Sequence, residues 1–137
     1  MKTEEGGSGD GGTVFELTPS GGNWALTILY SFTGTWHNTP PGPTSTLTMD
    51  ASGALYGNTH TEGAYGYGNI FKLMPSQGGW TYTSLHDFTG GTDGGYPWGQ
   101  VILDAHGNVY GTTTAGGPTV GSCSGNLGCG VIFEITQ

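Results

Sequence analysis

Aromatic and polar side chains gather in the longer glycine-rich segments of this sequence. One such segment carries Asp93, Tyr96 and Trp98, and an earlier one carries Trp36 and His37. A tryptophan or tyrosine ring can cover the C–H face of a sugar ring, while carboxylate and imidazole groups hydrogen-bond its hydroxyls. We therefore predict that these residues line a binding site, with a neutral glycan or another small neutral ligand as the partner. The alternative is that the rings only fix the loops or fill gaps between sheets.

Catalytic chemistry has less support in the sequence. His86 and Asp87 are adjacent, and adjacent residues on a strand point to opposite faces of the sheet. His60 and Glu62 are close in sequence, but no GxSxG, HExxH or phosphate loop is present. We assign no catalytic residue. The alternatives to a binding module are a hydrolase or lyase that acts on glycans through acids and histidines of the same surface, and a purely architectural repeat.

Two aspartates have the setting of turn residues. Asp50 and Asp104 each begin a short turn, where the side chain can accept hydrogen bonds from backbone N–H groups. We predict this structural role for both. A calcium site near Asp104 is the alternative, although the sequence there lacks the dense oxygen ligands of a calcium loop. No other cofactor is indicated.

The charge balance limits the partners. Lys2 and Lys72 are the only basic residues, and the formal net charge is −8. Such a chain cannot neutralise nucleic-acid phosphates, is not attracted to anionic lipid and repels acidic sugars. No segment approaches the roughly 18 consecutive apolar residues of a membrane-spanning helix, so membrane insertion is not predicted.

Two copies of one pattern and the start of a third make up most of the chain. The copies begin with TVFELTP at Thr13, NIFKLMP at Asn69 and VIFEIT at Val131. A repeat of this kind is usually one supersecondary unit that needs neighbours to bury its faces. We predict a flexible N-terminal tail over 1–12 and one tandem-repeat β domain over 13–137, divided into 13–68, 69–130 and 131–137.

The alignment of the copies also bears on the predicted site. Trp98 corresponds to Thr44 in the first copy, and Asp93 corresponds to His37. The repeated fold therefore does not require a tryptophan at that position, which favours a ligand contact for Trp98 over a packing role.

Short apolar runs between glycine-rich turns predict β-strands and no helix. Phe15 and Leu17 alternate with Val14 and Glu16, as on a strand with two different faces. Each full repeat contains four such runs, and radially repeated four-stranded sheets are typical of propeller blades. The predicted fold is all-β and propeller-like, with four-stranded antiparallel blades and about two blades per chain. A small closed barrel or a sandwich is the alternative.

Antiparallel order sends the connections alternately to the two ends of each sheet. The short turns lie at one end and the long loops at the other, where function tends to concentrate. Besides the predicted site residues, this long-loop end carries His60, Glu62, Tyr65 and Tyr67.

Several recurring blocks carry a resemblance to a known family. The blocks GGTVFELTPSGG, LYSFTG, LDAHGNVYGTT and CGVIFEIT resemble the GloVer-type tandem repeat of bacterial extracellular choice-of-anchor proteins. The resemblance covers nearly everything from Gly11 onward. Longer members resemble secreted or surface-anchored arrays, which implies an extracellular or cell-surface location. The family has no established catalytic motif, so the resemblance carries over no active site.

The strand count predicts association. About two blades cannot close a ring, since propellers need about four or more. Open blade faces would leave Phe15, Phe71 and their neighbours partly exposed to solvent, and unpaired strand edges favour association. We therefore predict a homo-oligomer, a dimer or trimer that completes a ring. A piece of a longer array is the alternative.

The two cysteines, Cys123 and Cys129, lie in one flexible loop. The residues between them are mainly serine, glycine and asparagine, so the loop can bend to bring the thiols together. Two thiols with no histidine nearby in sequence are too few for a zinc site. We predict a disulfide, with two free thiols as the alternative, and a disulfide indicates an oxidising compartment.

Thiol titration of the denatured, unreduced protein is expected to find no free thiol, because both sulfur atoms are joined. Closing so short a loop stabilises the fold by at most about 2–3 kcal/mol on the chain-entropy model. Detection of two thiols per chain would contradict the pairing.

Overall fold

The structure, a computed structural model, describes residues 1–3, 6–33, 42–118, 123 and 127–137. Within those ranges every regular element is a β-strand, which confirms the predicted all-β class. In chain order the strands are β1 (Lys2–Thr3), β2 (Asp10–Ser20), β3 (Asn23–Thr33), β4 (Thr48–Met49), β5 (Leu55–Thr59), β6 (Asn69–Ser76), β7 (Gly79–Asp87), β8 (Gly95–Pro97), β9 (Ile102–Leu103), β10 (Val109–Ala115) and β11 (Ile132–Ile135).

These strands form three antiparallel sheets. The first sheet has the order β1-β2-β3, and the central sheet has the order β4-β5-β6-β7, so its strands pair with their neighbours in sequence. The third sheet has the order β11-β10-β8, with β9 also paired to β10. The central sheet contains the four antiparallel strands predicted for one repeat. Strands β9, β10 and β11 repeat the pairing of its first three.

In place of the predicted N-terminal tail, residues 1–3 lie along β2. Lys2 pairs with Val14 and Thr3 pairs with Thr13, and the amino group of Met1 donates to the Phe15 carbonyl over 2.8 Å. The pairing has the same register as that of β5 beside β6 in the central sheet. Strand β1 and the first residues of β2, which begins at Asp10, thus lie inside the segment 1–12 that was predicted as a tail. Strand β1 was not predicted from the sequence because its residues show no alternation of apolar and polar side chains.

The sheets pack face to face through one contact that is made twice. Phe32 of the first sheet meets Phe71 of the central sheet, with ring centroids 5.4 Å apart and planes at 62°. Phe88 of the central sheet meets Phe133 of the third sheet at 5.2 Å and 62°. We call the two junctions the first seam and the second seam. Two clusters of buried apolar residues fill the seams: Val14, Phe32, Leu55, Phe71 and Leu73 at the first, and Ala54, Tyr56, Ile70, Phe88, Val101 and Val109 at the second.

A glycine lies under each of the phenylalanines that enter a seam from the later sheet. Gly57 pairs directly with Phe71, and Gly111 pairs directly with Phe133. A Cβ atom on Gly57 would come within 2.6 Å of the Phe71 ring, and one on Gly111 within 2.5 Å of the Phe133 ring. The ring therefore lies across the neighbouring backbone, which only glycine permits.

The short turns are capped as predicted. Oδ1 of Asp50 accepts from the amides of Ser52 and Ala54 over 2.8 and 3.0 Å. Oδ1 of Asp104 does the same for His106 and Asn108 over 2.8 and 2.9 Å. Hydrogen bonds, above all that from the Ser52 hydroxyl, hold the pKa of Asp50 below its ordinary value.

The predicted disulfide is present. Cys123 and Cys129 are bonded, and their Cα atoms are 5.3 Å apart, within the usual range for such a bridge.

The glycine under Phe71 gives a test of the seam packing. Gly57→Ala is expected to lower the free energy of unfolding by about 1–3 kcal/mol, because the added methyl group forces the ring out of place. Urea unfolding followed by fluorescence measures the loss. Gly78→Ala is the matched control, since a Cβ there meets no atom within 4 Å. Equal unfolding midpoints for the two variants would show that the ring does not lie on Gly57.

Candidate functional site

Backbone pairing positions Trp98. Strand β8 ends at Pro97, which lies opposite Thr113 of β10. The Trp98 amide donates to the Thr112 carbonyl over 3.2 Å, and the Thr112 hydroxyl donates to the Trp98 carbonyl over 3.1 Å. The tryptophan therefore stands on a fixed stretch of backbone, although it follows a glycine-rich loop.

The first repeat holds Thr44 in the same way. The Thr44 amide donates to the Asn58 carbonyl over 3.2 Å, and Pro43 bridges Thr59 in antiparallel fashion. The structure thus aligns Thr44 with Trp98, as the sequence does. One backbone position carries threonine in the first repeat and tryptophan in the second.

Four rings form a cluster beside the second seam, and we call them the aromatic cluster: His60, Tyr67, Tyr96 and Trp98. The indole of Trp98 meets the imidazole of His60 edge to face, with centroids 5.3 Å apart. His60 also lies 5.0 Å from the Tyr96 ring, and Tyr96 lies 5.4 Å from the Tyr67 ring. Trp98 remains 57% exposed, so one end of the cluster is open to solvent while the rest is packed.

Tyr96 has a backbone conformation that non-glycine residues rarely adopt. Its φ is 54°, in the left-handed region. The conformation is held from both sides: the Tyr96 amide donates to the Tyr67 carbonyl over 2.7 Å, and the Thr114 hydroxyl donates to the Tyr96 carbonyl over 2.9 Å. Such strain costs on the order of 1–3 kcal/mol and is concentrated at functional sites. Here it places the tyrosine ring against His60.

His60 brings an unmet polar atom into the cluster. Its Nδ1 is buried and has no hydrogen-bond partner in the part of the chain that the structure describes. Buried polar atoms without partners are few in folded proteins and call for an explanation. His60 and Tyr67 were not among the predicted site residues. Both lie on the β5–β6 connection, which the antiparallel order had already placed at the same end as the loop of Trp98.

Asp93 serves a neighbouring turn. Its Oδ2 accepts from the Thr89 amide over 2.9 Å and contacts Nε2 of His86 at 3.2 Å, and its Oδ1 accepts from the Thr89 hydroxyl. Burial acts to raise the pKa of Asp93, but these hydrogen bonds together hold it below its ordinary value. The structure thus brings Tyr96 and Trp98 together through His60 and places Asp93 against His86. Trp36 and His37 lie outside the described residues.

Glu62 forms a second group of interest, at the first seam. The rings of Tyr30 and Tyr82 stack there with centroids 4.6 Å apart. Burial raises the pKa of both hydroxyls most, and the Glu62 charge raises it further. Burial in turn raises the pKa of Glu62 to about 7. The hydroxyl of Tyr82 accepts from the side-chain amide of Asn69 over 2.6 Å. Glu62 is therefore a carboxyl group that gains or loses its proton near neutral pH.

The blocks that recur along the three sheets agree with one known family. A family model of the Gloeobacter/Verrucomicrobia repeat matches residues 2–137. The chain belongs to this family. The match confirms the resemblance to a GloVer-type repeat, and it begins within the segment that forms β1. Nothing among curated proteins or solved structures matches the chain.

The described part of this Gloeobacter/Verrucomicrobia repeat chain contains no helix long and apolar enough to cross a membrane. In those same residues, no group of three or more histidine, cysteine, aspartate or glutamate side chains could hold a metal ion. The Asp104 carboxylate accepts hydrogen bonds from the amides of His106 and Asn108 within its own turn.

Glu62 gives the repeat a defined pH dependence. Its pKa rises from 4.5 to about 7 on folding, so its contribution to stability is fully present below pH 4.5 and is lost as the pH rises through 7. Glu62→Gln is expected to raise the melting temperature at pH 8 and to flatten its fall between those pH values. Thermal melts at a series of pH values measure both effects. Glu16→Gln, at an exposed strand position, is the control and should leave the profile unchanged. A wild-type melting temperature that does not fall over this range would contradict the burial of the Glu62 charge.

Proposed function

We propose that this chain binds a neutral glycan at the aromatic cluster, with Trp98 as the surface on which a sugar ring stacks. The proposal depends mainly on the position of the indole: Trp98 is 57% exposed, yet His60 holds its ring edge to face. A large ring that is open on one side and fixed on the other loses little conformational freedom on binding. The C–H face of a pyranose matches such a ring.

The comparison between repeats supports a ligand role over a packing role. Thr44 makes the same 3.2 Å backbone hydrogen bond as Trp98, so the fold is satisfied by a small side chain there. The second repeat adds the indole and, at Tyr96, a strained backbone that packs a ring against His60, which in turn meets the indole. Both features go beyond what the shared frame needs.

Charge supports a neutral ligand. The net charge is −8, and the chain has only two basic residues. Acidic sugars would be repelled, whereas uncharged hydroxyls can bond to imidazole, phenol and carboxylate groups. Asp93 contributes by fixing the turn that leads into β8, since its carboxylate is taken up by Thr89 and His86. Trp36 and His37 stay assigned to this face on sequence grounds.

A glycan hydrolase or lyase is the second candidate, because Glu62 has a pKa of about 7. General acids and bases work best when the pKa lies near the operating pH. Glu62 stands at the first seam beside Tyr30 and Tyr82, so turnover would be separable from binding at Trp98. A product assay on the oligosaccharides used for binding, with Glu62→Gln as the comparison, distinguishes this candidate.

We also propose a propeller-like arrangement and an extracellular location. The support for the first is that both seams repeat one phenylalanine contact at the same 62° angle, as successive blades of a propeller would. The support for the second is the Cys123–Cys129 disulfide, because such bonds persist in oxidising compartments.

The binding proposal is tested with Trp98→Thr, which places the first repeat's own residue at the equivalent position. Neutral oligosaccharides of glucose, mannose and xylose are screened by calorimetry, and the tightest binder is then titrated into each variant. Loss of a central aromatic contact commonly costs about 2 kcal/mol, which is about a 30-fold rise in Kd.

Met74→Thr is the control, because Met74 is also exposed but lies on β6 away from the cluster. The control is expected to bind as wild type does, and melting curves should show all three proteins folded. Equal affinity for wild type and a folded Trp98→Thr, or no binding to any sugar of the panel at millimolar concentration, would refute the proposal.

A further inference from the structure

The first sheet carries an exposed apolar face. Strands β2 and β3 place Phe15 opposite Ile28 and Leu17 opposite Leu26, with Trp24 beyond them. The exposed fractions of Trp24, Leu26 and Ile28 are 68%, 60% and 48%. We call this row the leading face.

The corresponding residues of the central sheet are covered. Phe71 and Leu73 take the places of Phe15 and Leu17, and both are fully buried at the first seam. Their cross-strand partners are Ser84 and Tyr82. The leading face thus has the residue pattern of a surface that, one repeat later, packs against a neighbouring repeat.

The third sheet has the opposite face open. Ile132 is 85% exposed, whereas Val14 and Ile70, its counterparts in the earlier sheets, are 0% exposed. Tyr110 and Glu134 lie beside it and are joined by a 2.8 Å hydrogen bond. The counterpart of Tyr110 in the central sheet is Tyr56, which is buried at the second seam. We call this surface the trailing face.

We propose that the leading face of one copy of this chain packs against the trailing face of a second copy. Phe15 and Leu17 then take the role of Phe71 and Leu73, and Ile132 takes the role of Val14. A second copy is the partner because the chain already contains this interface twice, once at each seam, with one geometry. The two faces are opposite sides of the repeat, so the association is head to tail and not the pairing of like with like.

Light scattering of the full chain is the first measurement. Wild type at micromolar concentration is expected to have at least twice the 14.1 kDa mass of one chain. Leu26→Asp on the leading face and Ile132→Asp on the trailing face should each reduce the mass to a single chain. Both positions are exposed, so the variants should keep the wild-type circular dichroism. Trp98→Thr removes an exposed ring that lies on neither face, so this variant should keep the wild-type mass.

Mixing the two aspartate variants is the decisive measurement. Each keeps one intact face, and the two intact faces are complementary, so an equimolar mixture should form a species of two chains and stop there. A single-chain mass for wild type would overturn the proposal. A wild-type mass for either variant alone would show pairing of like faces. A mixture that stays at one chain would equally exclude head-to-tail packing.

Discussion

One packing arrangement organises the three sheets. A phenylalanine lies over a glycine of its own sheet and against a phenylalanine of the preceding sheet. Phe71 lies across Gly57 and meets Phe32, and Phe133 lies across Gly111 and meets Phe88. Every residue of β5 is buried, because the central sheet is covered on both faces. A sheet with two apolar faces cannot be stable alone, so each repeat depends on its neighbours.

The aromatic cluster is a consequence of that stacking. His60 comes from the connection between β5 and β6, while Trp98 comes from the connection between β8 and β9. These loops meet only because the central and third sheets are held in register at the second seam. Substitutions in the loops can therefore change the exposed side chains without altering the frame, as the exchange of Thr44 for Trp98 between repeats shows.

The sequence predicts this fold better than it predicts the site. Repeated short blocks predicted the strands of the central sheet and the capped turns at Asp50 and Asp104, and the flexible residues between the two cysteines predicted the disulfide. Strand β8 could not be predicted from the sequence. It has only three residues, one of them glycine and one proline, and pairing with β10 holds it in place. The left-handed backbone of Tyr96 is likewise imposed by tertiary hydrogen bonds. Asp93 lies in a glycine-rich turn in which the Gly91 carbonyl accepts from the Gly117 amide, a partner far along the sequence.

The coverage of the central sheet on both faces also determines which parts of the chain open locally to solvent. Strand β5 and residues 69–73 of β6 have a partner strand on each side, and their side chains are buried or half-buried on both faces of the sheet. Their amide hydrogens exchange with solvent only when both seams open together, whereas β1 and β11 can fray singly at the sheet edges. The slowest-exchanging core of the protein is therefore the central sheet, and the outer sheets form separate opening units on either side of it.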